Sequence, residues 1–241
     1  MSATISDREV RAVPGLAELL GRSLRHELGD FLQKVYASVA ILETRLPLEW
    51  RTEREVLTRL RERAESCRQL LDEIQDFLCP LTLNRQTVDL AGLASQLTEA
   101  ARRCYPHLQL TAQSDQPVMV SADPDRMAQV GKSLLANACQ AARRHVTFET
   151  SVDPLSGNIQ WCIRDDGPGI SPEVSARLFR PFFSTRSGHA GLGLALAQKL
   201  VLLHGGRISL VNQPDGGCRC QVWLPADVGI TPVSTEGETA T

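Results

Sequence analysis

The 241 residues are 42% hydrophobic and 22% charged, with a formal net charge of −2, which is the balance of a soluble globular protein of one large domain or two small ones. So even a charge gives no electrostatic reason to bind nucleic acid or an anionic membrane, and no apolar run approaches the ~20 residues that span a bilayer. The opening MSATISDREVRAV lacks a signal peptide's basic-then-apolar order, so the expectation is a cytoplasmic protein with no nucleic-acid partner and no membrane insertion.

Residues 1–15 precede the first periodic pattern. From Leu16 to Leu46, the residues Leu24, Leu28, Phe31, Val35, Val39, Leu42 and Leu46 recur at spacings of three and four, the period of a helical stripe. At roughly 100° per residue they fall within an arc of about 80°. His26 lies about 180° from the centre of that arc, with Asp30 on the same side, so His26 is expected to face away from the core. A pattern of ~30 residues is long for a globular helix and suggests a bundle or coiled coil. Pro47 ends it. Thr52-x-x-Glu55 has the form of a capping box and predicts the start of a second helix. Its stripe runs Val56, Leu60, Ala64, Cys67, Leu71, Ile74 and Leu78 before Pro80 closes it. The two helices predict an antiparallel hairpin over 16–79 with one apolar side. A symmetric dimer closing a four-helix bundle is the economical way to bury that side.

The connector LTLNRQTV falls in a linker, 80–88, and the character of the chain then changes. Residues 89–104 read as an amphipathic helix capped by Asp89, and 108–112 and 117–122 as short strands. Asp123-Pro124 supplies an N-cap and a first-turn proline for a helix to about Arg144. Strands are expected at 145–152 and 158–165, joined by a turn at Pro154–Gly157. A glycine-rich stretch, a helix near 192–204 and strands at 207–212 and 218–224 follow. Helices mixed with largely adjacent strands predict an α+β sandwich over 89–226, one sheet covered by helices. The polar, aperiodic 227–241 is expected to be a disordered tail. Seven cysteines without CxxC spacing read as reduced, mostly buried small hydrophobes. Cys218 and Cys220, a CxC pair on a predicted strand, are expected to point to opposite faces, which disfavours a metal site.

Three motifs in this second region bear on chemistry. SLLANACQAA (133–142) sets Asn137 one helical turn after Ser133. Its amide oxygen is a hard ligand suited to Mg2+, and a surface or capping Asn fits the pattern equally well. RDDGPGIS (164–171) places Asp165 at a strand end, where Gly167 and Gly169 let the backbone turn sharply towards a ligand; a plain strand-to-helix turn has the same composition. GHAGLGLALAQKLV (188–201) is a glycine-rich loop entering a helix, whose N–H groups can cradle phosphate, although glycine also serves close helix packing. Between the last two lies LFRPFFSTR (178–186), with two adjacent aromatics outside any periodic element. It is either a core plug or the hinge of a mobile lid.

In this order and spacing, SLLANACQAA, DDGPGI, LFRPFFSTR, AGLGLALAQKLVLLHGG and GGCRCQVWLP resemble the ATP-binding domain of the gyrase, chaperone, histidine kinase and mismatch-repair superfamily. Within it the chain resembles bacterial sensor histidine kinases from about 16 to 225, and PFFSTR followed by AGLGL is most similar to the nitrogen-regulation branch. The resemblance implies an α+β fold: a helical hairpin forming a dimeric four-helix bundle, then an α/β sandwich that binds ATP. It implies an ATP-dependent protein histidine kinase that autophosphorylates on His26 and passes the phosphoryl group to an aspartate of a response-regulator receiver domain. The implied cofactors are ATP and Mg2+. The implied partners are a second copy through the hairpin and the receiver domain; with only about 15 residues before the hairpin, input is expected from a partner such as a separate sensor protein, from another chain or from the dimer itself. Carried onto this chain, Asn137 holds Mg2+ and Asp165 bonds the adenine amino group. Gly167 and Gly169 shape the nucleotide pocket, and Gly191 and Gly193 contact phosphate at the end of a lid. Arg186 and Gln140 approach the phosphates. His26 becomes the nucleophile, and Glu27 orients and deprotonates it.

Three positions depart from the family. Ser133 stands where ATP-hydrolysing relatives carry a Glu that activates water, which counts against an ATPase. Asp30 replaces the amide or hydroxyl usual four residues after the acceptor histidine, which places phosphatase activity in question. Cys218 replaces a Thr near the adenine site and is expected to weaken that contact. The alternative these departures leave open is a catalytically silent ATP-binding or phosphotransfer scaffold that binds a response regulator.

Overall fold

The computed structural model describes residues 14–47, 49–114, 116–154, 156–186 and 190–225, with the helix path alone for 14–22 and 24. Residues 1–13 of the N-terminal segment and the predicted disordered tail lie outside the described residues. The chain divides into two compact units, Met1–Leu81 and Thr82–Thr241.

The first unit is a hairpin of α1 (Pro14–Arg45) and α2 (Arg51–Leu78). The predicted capping box does not form: the N-cap of α2 is Trp50, which makes no side-chain cap, and Thr52 lies inside the helix. The tight reversal after Pro47 accounts for this. Trp50 N–H donates to the Pro47 carbonyl (3.1 Å) and Arg54 N–H to the Trp50 carbonyl (3.1 Å), so helical bonding has begun before Thr52. Arg54 then reaches back to the carbonyls of Glu43 (3.2 Å) and Leu46 (3.3 Å), satisfying acceptors that the end of α1 leaves open.

Within the hairpin the apolar stripe divides. Leu32 and Val39 of α1 and Leu57 and Ala64 of α2 are buried, whereas Leu28, Phe31, Leu42, Val56 and Leu60 stay exposed. A polar ladder joins the two helices beside the buried seam. Arg61 pairs with Glu43 (3.2 Å), and the Tyr36 hydroxyl donates to Glu65 (2.8 Å). Arg68 joins Glu65 (2.6 Å) and Asp72 (3.7 Å), and Arg25 meets Asp72 (3.4 Å) and Gln75. Exposed pairs of this kind contribute little stability, but they fix the rotation of one helix against the other.

The second unit carries a five-stranded sheet of order β2-β4-β5-β7-β6, from β2 (Gln109–Gln113), β4 (His145–Val152), β5 (Ile159–Asp165), β6 (Arg207–Asn212) and β7 (Cys218–Leu224). β2 pairs with β4 in parallel and the other neighbours are antiparallel. The single sheet expected from sequence is two: β1 (Gln86–Asp89) and β3 (Met119–Ala122) form a separate antiparallel ribbon. Residues 86–88, expected in the linker, are thus part of a strand, and Asp89 at its end caps α3 as expected. Four residues carry too little alternation to reveal a pairing made only across the intervening helix. The helices α3 (Leu90–Cys104), α4 (Pro124–Ala141) and α6 (Gly193–Leu203) pack on the sheet, and α5 (Pro172–Ser175) is a short turn. Among the described residues no helix is long and apolar enough to cross a membrane.

Alternate residues of the central strands build the core: Val146 and Phe148 from β4, Ile159, Trp161 and Ile163 from β5, and Val222 and Leu224 from β7. Phe148 and Trp161 meet edge to face, with centroids 5.0 Å apart. Cys218 and Cys220 do not point to opposite faces. Two residues apart on β7, they share its buried side, because side-chain direction in a strand repeats every second residue. The opposite side of the sheet is polar, with Arg164 on Glu149 (3.1 Å) and Arg207 stacked over Trp223 (4.5 Å).

His204, buried at the end of α6, ties that helix to α4. Its Nδ1–H donates to the Leu200 carbonyl (2.8 Å), leaving Nε2 to accept the backbone N–H of Asp123 (3.0 Å). Asp123 is the N-cap of α4, and its carboxylate accepts from Arg126 N–H (3.1 Å) and Asn84 N–H (2.9 Å). Burial, aided by the nearby Arg85 charge, holds the His204 pKa below its ordinary value, against the Leu200 hydrogen bond and the Asp123 charge. The unfolded chain therefore takes up a proton near pH 6.5 that the folded chain refuses. Stability should be fully present above about pH 6.5 and fall as the pH drops below it. Thermal melts between pH 5 and 8 check this: His204→Ala should be less stable at pH 8 and should lose that part of the slope.

Candidate functional site

The site is assembled at the end of β5. Side chains alternate there, so the two aspartates of the DDG sequence have opposite tasks. Asp165 continues the buried face of β5 and is 7% exposed. Its Oδ1 accepts the N–H of Gly167 (2.9 Å) and of Cys218 (3.3 Å), and Oδ2 accepts from no donor among the described residues. Asp166 turns the other way and receives the N–H groups of Arg143 (2.8 Å) and Arg144 (3.0 Å). That grip explains why α4 stops at Ala141 instead of running to about Arg144. Burial raises the Asp165 pKa and the Asp166 charge adds to it, against the two N–H donors. Asp166 is held below the ordinary range by its backbone donors, which outweigh desolvation.

Backbone packs directly around Asp165. A Cβ on Gly217 would lie 1.9 Å from the Asp165 carbonyl oxygen, and one on Gly167 would lie 2.5 Å from the Ala141 carbonyl oxygen. Asn212 clamps the following turn. Its Oδ1 accepts Ile170 N–H (2.8 Å), its Nδ2 donates to the Ile170 carbonyl (2.7 Å), and a Cβ on Gly169 would meet it at 2.9 Å. Gln213 Nε2 bridges the carbonyls of Asp165 and Cys218, both at 3.3 Å. Sequence reasoning missed Asn212 and Gln213. The available signal was polar amides at a strand end before the turn Pro214–Gly217. Cys218 reaches Asp165 through its backbone, which any residue supplies. Its thiol sits 3.5 Å from Asn212 Oδ1, and burial together with the Asp165 charge pushes its pKa up to about 11.

Asn137 and Gln140 lie one turn apart on α4. Asn137 is half-buried and makes no hydrogen bond among the described residues. Gln140 Oε1 accepts from Arg186, which brings the 178–186 segment onto α4. In that segment Phe183 packs under Arg177 (4.3 Å), while Phe182 is exposed and sits at φ 61°. Gly191 has φ 66°, and a Cβ there would come within 2.5 Å of the Phe183 carbonyl oxygen, a close approach of backbone to backbone. Gly193 opens α6, and a Cβ there would meet Ser133 Oγ at 2.9 Å. The structure thus joins Gln140 to Arg186 directly and sets Gly193 against Ser133, one turn before Asn137. Among the described residues no three His, Cys, Asp or Glu side chains are placed to hold a metal ion.

His26 and Glu27 belong to the helical unit. The His26 side chain is 81% exposed, and its Nδ1 lies 3.9 Å from Asp30 Oδ2. Glu27 is exposed and makes no hydrogen bond or ion pair among the described residues.

Residues 122–228 match the family of histidine kinase-, DNA gyrase B- and HSP90-like ATPases. The sensor histidine kinase ZraS of Klebsiella oxytoca is 30% identical over 218 residues, 86% of this chain and 46% of that protein. The sensory histidine kinase/phosphatase NtrB of Rhizobium meliloti is 26% identical over 239 residues, 91% of this chain and 60% of that protein. Along most of its length the chain is similar to bacterial sensor histidine kinases. It shares its fold with the crystal structure of full-length ShkA in complex with AMPPNP, at a TM-score of 0.73 and 22% identity, over 92% of this chain and 48% of that one. The chain spans about half the length of the curated relatives it matches.

The ionised Asp165 is a cost to folding. A carboxyl whose folded pKa is raised loses stability as the pH climbs from its unfolded value through the folded one, and the loss persists at neutral pH. Asp165→Asn keeps an oxygen for the Gly167 and Cys218 donors and removes the charge. It should therefore unfold at an equal or higher urea concentration than the parent at pH 7, as followed by circular dichroism.

Proposed function

We propose that this chain is an ATP-dependent protein histidine kinase, phosphorylated on His26 and passing the phosphoryl group to an aspartate of a response-regulator receiver domain. The observation that carries this reading is Asp165. A buried carboxylate with one oxygen fixed by two backbone N–H groups and the other uncommitted is built to accept a hydrogen bond from a ligand, and the adenine amino group is such a donor. The residues around it fit a nucleotide. Gly167 and Gly169 keep side chains out of the base site, and Gly191 and Gly193 bring backbone N–H groups to the start of α6, where phosphate binds well.

Asn137 would hold Mg2+. Its amide has no protein partner to give up, and Mg2+ takes few protein ligands when phosphates and water complete its shell. The ion would neutralise charge on the transferring phosphoryl group. Arg186, tethered to Gln140, adds a cation on the same helix face. Ser133 supplies no carboxylate to activate water, which favours transfer over hydrolysis. His26 offers an exposed imidazole, a good nitrogen nucleophile near neutral pH. Glu27, exposed and next to it in sequence, adds a carboxylate near the imidazole.

In this reading residues 16–79 form the dimerisation and phosphotransfer domain, the linker is what remains of 80–88 before β1, and the catalytic domain runs from β1 to about 226. A second copy covers Leu28, Phe31, Leu42, Val56 and Leu60, an apolar set that the hairpin alone leaves in water.

Incubation with γ-labelled ATP and Mg2+ tests the reading. The protein should acquire a label that is acid-labile and alkali-stable, absent from His26→Gln, and transferable to a receiver domain. Asp165→Asn should lose nucleotide binding by calorimetry while remaining folded. Binding without any label would instead support a silent scaffold.

A further inference from the structure

The helical unit holds a carboxylate that no structural task explains. Asp30 lies one turn after His26 on the same face of α1, with its Oδ2 3.9 Å from His26 Nδ1. It caps no helix end, and its only ion pair among the described residues is with His26. Asp is also a poor helix former in mid-helix, so propensity does not account for it. Glu27, adjacent in sequence, projects about 100° away around the helix and meets nothing; neighbours at i and i+1 do not face each other, whereas i and i+4 do. The turn bearing the pair is fixed in rotation by the preceding residue, since Arg25 is held by Asp72 (3.4 Å) and Gln75 of α2. Both partners stand in solvent, 81% and 61% exposed, so the pair adds little to stability and leaves the far ring nitrogen accessible.

We propose that Asp30 is the positioning residue for His26: a small side-chain rotation closes the 3.9 Å separation so that it accepts the Nδ1–H, which holds the neutral ring in that tautomer and leaves Nε2 as the bare nucleophilic nitrogen. This rests on the kinase reading above and deepens it. In the transfer, the bond from Nε2 to the γ-phosphorus forms as the bond from that phosphorus to the β,γ-bridging oxygen breaks, and ADP departs with the electron pair. The Nδ1 proton stays on the ring. The positive charge this places on the phosphorylated imidazole is neutralised across the helical turn by the Asp30 carboxylate.

The test uses the whole chain and reads the tautomer independently of activity. The 15N shifts of His26 at pH 8 should show Nδ1–H dominant in the parent and Nε2–H dominant in Asp30→Ala, with Asp30→Glu returning towards the parent. In the labelling reaction, Asp30→Ala should slow phosphorylation about 10- to 100-fold at an unchanged KM for ATP, and Asp30→Glu should recover part of the rate. Equal tautomer ratios in parent and Asp30→Ala, or labelling of Asp30→Ala at the parental rate, overturn the proposal. A tautomer change in a parent that takes no label would uphold the pairing and defeat the kinase reading, so the two failures are distinct.

Discussion

A carboxylate withheld from water at the end of β5 sets the terms for the second unit. Ionised Asp165 is unfavourable where it stands, and the fold tolerates it only because backbone donors from two directions converge on one of its oxygens. Those donors come from the DGPG turn and the first residue of β7, which must approach the strand end more closely than any side chain allows. Gly217 and Gly167 permit the approach. Asn212 and Gln213 then lock the two turns to each other, and Asp166, facing the other way, ends α4. One buried charge thereby determines where a helix stops, where two turns bend and which positions must lack a side chain.

Rigidity and freedom are apportioned unequally around that charge. α4 and α6, which bear Asn137 and Gly193, are pinned together through His204 and the Asp123 cap. The 178–186 segment is held by Arg177 on Phe183, by Arg186 on Gln140 and by the close backbone approach of Gly191 to Phe183. The helical unit shows the same economy: a thin apolar seam with a polar ladder beside it sets rotation and leaves much of its apolar surface uncovered.

Much of this was legible in the sequence, and the failures have physical causes. The helical stripes, the Asp123-Pro124 start and the two final strands follow from periodicity and capping chemistry that act over a few residues. His26 is exposed as the helical wheel places it. β1 was missed because its pairing is non-local, and the capping box at Thr52 because a turn set by Pro47 started the helix first. The misreading of Cys218 and Cys220 was one of strand period. Glycine spacing marked the site's outline, but Asn212 and Gln213 could not be assigned to it, since their roles exist only once β6 and β7 lie beside β5. Asp30 was conspicuous as a departure, and only side-chain geometry pairs it with His26.

Phe182 carries a consequence for the 178–186 segment. A phenylalanine at φ 61° occupies backbone space that costs an L-residue roughly 1–2 kcal/mol, and here the exposed ring recovers none of it by burial. The segment is therefore wound against its own preference. Any rearrangement that returns Phe182 to negative φ begins with about a 5- to 30-fold bias in its favour. Motion in this part of the molecule would then be release of a cocked element rather than slack in a loose one.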